Sequence, residues 1–152
     1  MRLALAAAGL CLVAGPAAAQ PERTLLSVRE VMRHVLNPAA ETFWKGSGSV
    51  STEEGVAERA PTSDAAWGQL VDAAAVVLET GNLLQMDGRS RTDESWARFS
   101  RQLTAAGSAG MAAAKARDED KVFETGGEMY NACFACHAKY IPRPANSLWK
   151  QP

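Results

Sequence analysis

Near the C-terminal end of the chain, the run Cys133-Phe134-Ala135-Cys136-His137 sets two thiols three residues apart and an imidazole beside the second. On a helix, Cys133 and Cys136 are neighbours on one face, and His137 lies one turn beyond Cys133. Two thiols so placed can add to the two vinyl groups on one edge of a haem macrocycle, while the imidazole binds the iron from one side. Competing chemistries fit less well. A thioredoxin-like thiol pair sits where a strand meets a helix N-terminus, which lowers a thiol pKa; this pair falls late in a helical segment. A structural zinc needs four ligands, and beyond these three residues the chain offers only the distant His34 once Cys11 is set aside as part of a leader. A plain disulfide is strained across this spacing. The expected cofactor is therefore covalent haem c, bound by Cys133 and Cys136, with His137 as the proximal iron ligand.

The thiols' compartment can be read from the opposite end. Met1-Arg2 is a short positive start, Leu3 to Val13 is apolar, Gly15-Pro16 breaks the run, and Ala17-Ala18-Ala19 is a small-residue cleavage site. That pattern is a secretory signal peptide over 1–19, leaving 20–152 as a single domain. An uncleaved anchor is disfavoured because Pro16 ends the run early, and a lipid anchor because Leu10, not a small residue, precedes Cys11. Export points to the periplasm, an oxidising compartment where free thiols are a liability, and leaves Cys133 and Cys136 as the two cysteines of the mature chain. No later stretch is long and apolar enough to cross a bilayer, so no stable membrane insertion of the mature chain is expected. A net charge of −1 without long runs of one sign argues against nucleic-acid binding.

The motif must be held by helices. The chain is rich in Ala and has a single Ile, Ile141, a bias that favours helix. Ser27 and Glu30 form a capping box for a first helix, whose Val28, Met32, Val35, Ala39 and Phe43 share a face. Pro38 should kink or break it. Residues 46–63, with Gly46, Gly48 and Gly55, read as a polar crossover loop. A second helix spans about Asp64 to Gln85, with Trp67, Leu70, Val71, Ala74, Val77, Leu78, Gly81 and Leu84 inward. Asp87 to Ser90 is a turn. A third helix starts at Thr92-Asp93-Glu94 and closes near Lys115 to Arg117, with Trp96, Phe99, Leu103, Ala106, Gly110 and Ala113 inward. A fourth runs from about Asp118 to Tyr140, stopped by Pro142 and Pro144. No segment alternates like a strand. The expected fold is all-α, an antiparallel four-helix bundle.

A late Cys-x-x-Cys-His on the last of four helices, behind a signal peptide, resembles the cytochrome c′ family, the class II c-type cytochromes. The resemblance spans most of the mature chain in architecture, and is sequence-specific around Cys133 to Tyr140 and more loosely in the first helix. It implies haem near one end of the bundle, His137 proximal, and often a homodimer. High-spin members of the family leave the sixth iron position open and bind small gases. Low-spin members fill it with a first-helix methionine and transfer electrons. The Asn37-Pro38 break and the long crossover depart from the family pattern.

None of the 15 residues after His137 is Met, His or Cys, so a sixth ligand must come from upstream. Met32, on the inner face of the first helix, is the favoured candidate, against the plainer reading of a core methionine. Met86 sits at the end of the second helix, Met111 deep in the third, and Met129 on the proximal side. His34 points away from Met32. The other candidates have mostly structural roles: Trp67, Trp96, Phe99, Phe123 and Tyr130 fill the core or wall the haem, and Arg29 or Arg33 is a propionate partner or an exposed cation. Lys139, Arg143 and Lys150 form a basic rim for an acidic redox partner, or a solvated tail. Trp149 docks on the bundle or on a partner. The expected role is an electron carrier between redox proteins, not an enzyme. The alternative is a five-coordinate protein that binds or senses nitric oxide or carbon monoxide.

Overall fold

A computed structural model describes residues 25–141. The leader expected over 1–19, with Cys11 and the cleavage site, and the C-terminal positions Pro142, Arg143, Pro144, Trp149 and Lys150 lie outside the described residues. Within them the chain is mostly helical, as the composition implies.

The first helical stretch has three consecutive parts: α1 (Val28–Val31), a π-helical turn (Met32–Leu36) and α2 (Asn37–Lys45). The capping box forms as expected. Glu30 N–H donates to Ser27 Oγ, and Ser27 N–H donates to the Glu30 carboxylate at 2.9 Å. Pro38 neither breaks the stretch nor ends it. A proline in an α-helix clashes with the carbonyl four residues back, here His34, and cannot donate to it. The π turn absorbs this, and the Asn37 N–H reaches five residues back to the Met32 carbonyl. The turn also changes which residues face inward. Ala39 and Phe43 are buried as expected; Val28, Met32 and Val35, expected on the same stripe, are half-buried, and Val31, Leu36 and Ala40 are buried besides. The five-residue step from Val31 to Leu36 spans the π turn.

The 46–63 segment corrects the loop expectation. Strands β1 (Gly48–Thr52) and β2 (Gly55–Arg59) pair antiparallel, with Gly48 opposite Arg59 and Thr52 opposite Gly55. Every residue of β2 is exposed, so no buried face imposes the apolar alternation by which strands are recognised.

Three long helices follow: α3 (Asp64–Leu83), α4 (Glu94–Ala116) and α5 (Glu119–Tyr140). Ser63, Asp93 and Asp118 cap their N-termini through side-chain oxygens, each satisfying a backbone N–H that the helix leaves unpaired. The largest interface is between α3 and α4. Arg117 at the end of α4 pairs with Asp64 at the start of α3 at 2.6 Å, and Trp96 Nε1 at the start of α4 donates to the Leu84 carbonyl just past α3, so these two helices run in opposite directions. Helix α5 returns along α4 and also meets α2. There Trp44 Nε1 donates to the Gly126 carbonyl at 2.9 Å, and Ser47 Oγ donates to the Glu119 carbonyl.

The α3–α4 seam is close because of Gly107. A Cβ added there would lie 2.5 Å from the Leu78 nitrogen. The core between the helices is filled by Phe43, Val31, Val77, Val122 and Met129, all essentially without solvent contact. Trp67, Trp96 and Phe99 are buried as expected, but Phe123 and Tyr130 are not: both lie on the outer face of α5, largely exposed. No helix among the described residues is long and apolar enough to cross a membrane.

Candidate functional site

Late in α5, Cys133, Cys136 and His137 come to one cleft with Met32 of the π turn. Leu36, Leu84, Trp96, Phe99, Leu103 and Ala132 supply most of the remaining wall. The helical spacing accounts for the first three: Ala132, Cys133 and Cys136 face inward, and His137 sits at the edge, exposed. Met32 joins them from the first helical stretch, half-buried against the same core. The cleft is narrow, holding about 20 Å³, room for about one water.

The polar atoms in these walls are satisfied internally. Trp96 Nε1 donates to the Leu84 carbonyl at 2.7 Å, and Ser100 Oγ donates to the Trp96 carbonyl at 2.9 Å. The cleft therefore presents an apolar surface with sulfur and imidazole as its chemically active groups. Burial pushes the Cys133 thiol up, with Cys136 adding to the effect. Burial also raises Cys136, reinforced by Asp93 and opposed by the nearby Arg91 guanidinium. Both cysteines are free. Thiols held protonated in mid-helix are the reverse of an activated redox pair, which removes support from the dithiol alternative. Among the described residues no three or more His, Cys, Asp and Glu side chains converge to hold a metal ion by themselves.

The residues fit a haem in their chemistry: two thiols on one helix face, an exposed imidazole beside them, a thioether across the cleft, and apolar walls. Seating a macrocycle between Met32 and His137 requires those walls to separate. The half-buried thiols and the exposed imidazole mark the edge where they would open.

The other sequence candidates fall elsewhere. The Met86 sulfur accepts from Arg89 Nη1 at 3.4 Å in the α3–α4 turn. Met111 is half-buried against the core, and Met129 is fully buried, where a Cβ on Gly110 would touch its methyl group and Phe43. His34, Arg29 and Arg33 are exposed. Lys139 is paired with Asp93 at 3.2 Å and so is not a free member of a basic rim.

Two features beside the cleft escaped sequence reasoning. Arg89 is buried and donates through Nε to the Leu26 carbonyl at 2.9 Å and through Nη1 to the Leu83 carbonyl at 3.3 Å. It thereby ties the α3–α4 turn to the entry of the first helix. Next to Cys136, Tyr140 packs edge-on against Trp96 and Phe99, with centroids 5.1 and 6.2 Å apart. Its hydroxyl donates to Asp93, and the Arg91 guanidinium lies 5.0 Å over its ring and 5.2 Å from the Trp96 ring. Burial, then the Asp93 hydrogen bond, pushes the Tyr140 phenol up to about 12. That hydrogen bond, helped by Lys139, holds Asp93 below the usual carboxylate range. The available signal was modest: Asp93 was legible as a helix cap, but its contact with Tyr140 joins residues 47 apart.

Compared with protein-family models, with curated proteins and with solved structures, the chain matches none.

Proposed function

We propose that this chain is an exported c-type cytochrome of the cytochrome c′ kind, an electron carrier whose haem c is attached through Cys133 and Cys136. The observation that carries the reading is the convergence of Cys133, Cys136, His137 and Met32 on one apolar cleft, from helices distant in sequence. Opposed neighbours along α3, α4 and α5, with α2 against α3 and α5, support an antiparallel four-helix bundle as the frame. The exposed hairpin is then an insertion in its first crossover.

Haem c, when bound, supplies a one-electron iron couple. The chain's own residues do the rest. Cys133 and Cys136 would tether the haem through thioethers, and His137 would bind its iron. Met32 is the second ligand proposed, and its thioether would raise the potential. Leu36, Phe99 and Leu103 exclude water, which sets the local dielectric and hence the potential. Arg91 and Asp93, fixed by Tyr140 and Trp96, place opposite charges beside the Cys136 edge. Among the described residues His137 is the one imidazole that lines the cleft. The signal-peptide pattern read over 1–19 supports work in the periplasm, with redox proteins as partners.

A second reading rests on the same walls. Met32 lies in a π turn, flanked by Leu36 and faced by Phe99 and Leu103. If Met32 is a wall residue and not a ligand, the arrangement is an apolar distal pocket for nitric oxide or carbon monoxide. Spectra of oxidised and reduced holoprotein, with and without carbon monoxide, separate the two for the native chain and Met32→Ala. A low-spin native spectrum that becomes high-spin and gas-reactive in the variant supports ligation. Identical native and variant spectra that are high-spin and gas-reactive give the pocket reading. A chain produced with haem-maturation machinery that carries no covalent haem would overturn both.

A further inference from the structure

A second apolar feature lies apart from the cleft, toward the start of α5. Phe43, Trp44, Val122, Phe123, Gly126 and Tyr130 line most of a groove of about 420 Å³ between α2 and α5. Trp44 is fixed in its wall by the hydrogen bond to the Gly126 carbonyl and by edge contact with Tyr130 at 6.3 Å. Phe123 and Tyr130 are 66% and 59% exposed, and a Cβ added at Gly127 would meet nothing within 4 Å. The rim carries charge of one sign. Glu124 is the charged residue of the lining among the described residues. Ser47, also in the lining, donates to the Glu119 carbonyl, which sets the acidic first turn of α5, Asp118, Glu119 and Asp120, at the groove's end. Asp120, Phe123, Gly127 and Tyr130 follow one another at helical spacing and share a face. Lys121, the basic residue of this turn, is already paired with Glu124 at 2.7 Å. Glu124 first, then Asp118 and Asp120, hold its ammonium above the usual lysine range, so the field here is negative. The groove also connects to the cysteine segment: Tyr130 stacks on Phe134 with centroids 6.3 Å apart, and Phe134 lies between Cys133 and Cys136.

We propose that this groove is the docking site for a basic redox protein, one whose contact face carries an apolar side chain ringed by lysines or arginines. The proposal rests on the electron-carrier reading above and gives the carrier's partner a chemistry. The apolar side chain enters the open space at Gly127, among Trp44, Phe123 and Tyr130. Rigid aromatic walls around such a space are where binding energy concentrates at protein interfaces. The partner's cations meet Asp120 and Glu124, which steers the encounter and fixes its orientation. The sign of the rim selects this occupant. An acidic partner is repelled, and a second copy of this chain, set groove to groove, brings its own Asp120 and Glu124 against the same carboxylates. Along α5 the step from Gly127 to Cys133 is about 9 Å, at about 1.5 Å per residue, so a partner seated here stands close to the segment that carries the haem.

Carbodiimide cross-linking of the holoprotein to a lysine-rimmed small cytochrome c, read by peptide mass spectrometry, tests the site, with calorimetric affinities at several salt concentrations beside it. Cross-links should fall on Asp120 and Glu124, and affinity should drop as salt rises. Gly127→Leu fills the open space and should weaken binding roughly tenfold, with helical circular dichroism unchanged. Asp120→Asn with Glu124→Gln should weaken it as well and flatten the salt dependence. Cross-links confined to carboxylates at the other end of the bundle, such as Asp93 and Glu94, overturn the proposal, as does the absence of any affinity for the probe. So does Gly127→Leu binding as tightly as the native chain, because charge alone then accounts for the contact. A native dimer that Gly127→Leu dissociates overturns it too, by making a second copy the occupant. Covalent haem, measured on the same sample, separates the two levels. A haem-bearing chain without groove cross-links loses the docking site alone, whereas a chain without covalent haem loses the electron-carrier reading and the docking proposal with it.

Discussion

At the scale of single residues, the thiols and the phenol make separable predictions. If both thioethers form, Cys133→Ala and Cys136→Ala should each retain covalent haem through the remaining sulfur. The double variant should release all of it under denaturing extraction, which haem staining after gel separation reads directly. Retention of covalent haem by the double variant would refute the attachment. Tyr140 carries a pH prediction. Its folded pKa is raised to about 12, above the roughly 10 of a free phenol. Its contribution to stability is thus complete below pH 10 and is lost as pH rises through about 12. Asp93 is shifted the other way, so its contribution is present above the ordinary carboxylate pKa of about 3.9 and is lost as pH falls through its lowered folded value. Tyr140→Phe should therefore abolish the tyrosinate absorbance step near pH 12. It should also flatten the loss of urea stability between pH 10 and 12. A late step that persists in the variant would assign it to another group.

At the scale of elements, the closeness of α3 and α4 is testable at Gly107. Gly→Ala on an open helix face gains stability. Here the new methyl meets the backbone of Leu78, so Gly107→Ala should cost roughly 1–3 kcal/mol by overpacking, measured by urea unfolding. Gly127→Ala, in open space, is the matched control and should stabilise. Much of this layer was legible in the chain. Ser27 with Glu30, Ser63, Asp93 and Asp118 announce the helix starts through chemistry that operates within four residues. The placing of Cys133 to His137 late in the last helix was legible too, since the spacing and the following prolines are local signals. The hairpin was not: Gly48–Thr52 and Gly55–Arg59 are held by backbone pairing with little buried side-chain surface, so nothing periodic marks them. In the first helix Ala39 and Phe43 were read correctly, but Val31 and Leu36 were missed because an α-helical spacing was laid across a π turn. The outward aromatics of α5 were misread because size and apolarity do not report which face a helix exposes. Arg89 and the Asp93–Tyr140 pair were missed because they join distant segments.

At the scale of the whole molecule, the helices and the hairpin divide the labour unequally. The hairpin meets α5 at Gly48, where the Phe123 ring lies 3.3 Å from an added Cβ, and its Glu58 and Arg59 line a surface pocket with Thr42 and Leu70. Replacing residues 49–58 with a short Gly-Ser linker should leave helical circular dichroism intact and shift the thermal midpoint by no more than a few degrees. A collapse of helicity would show that the hairpin organises the fold. The π turn acts at longer range than its five residues suggest. In an α-helix each residue advances the chain by about 100°, and a π turn accommodates one residue in excess of the α-helical count. Removing one residue between Arg33 and Leu36 would turn the five-residue step into an ordinary α-helical step of four and leave the upstream residues in phase with α2. Winding the same residues as unbroken α-helix would instead swing everything upstream by roughly a quarter of a revolution, taking Met32 out of the cleft and the Leu26 carbonyl away from Arg89. The π turn thus works as a corrector of angular phase: it lets the chain carry one residue more than an α-helix would hold without changing which groups are turned toward the cleft.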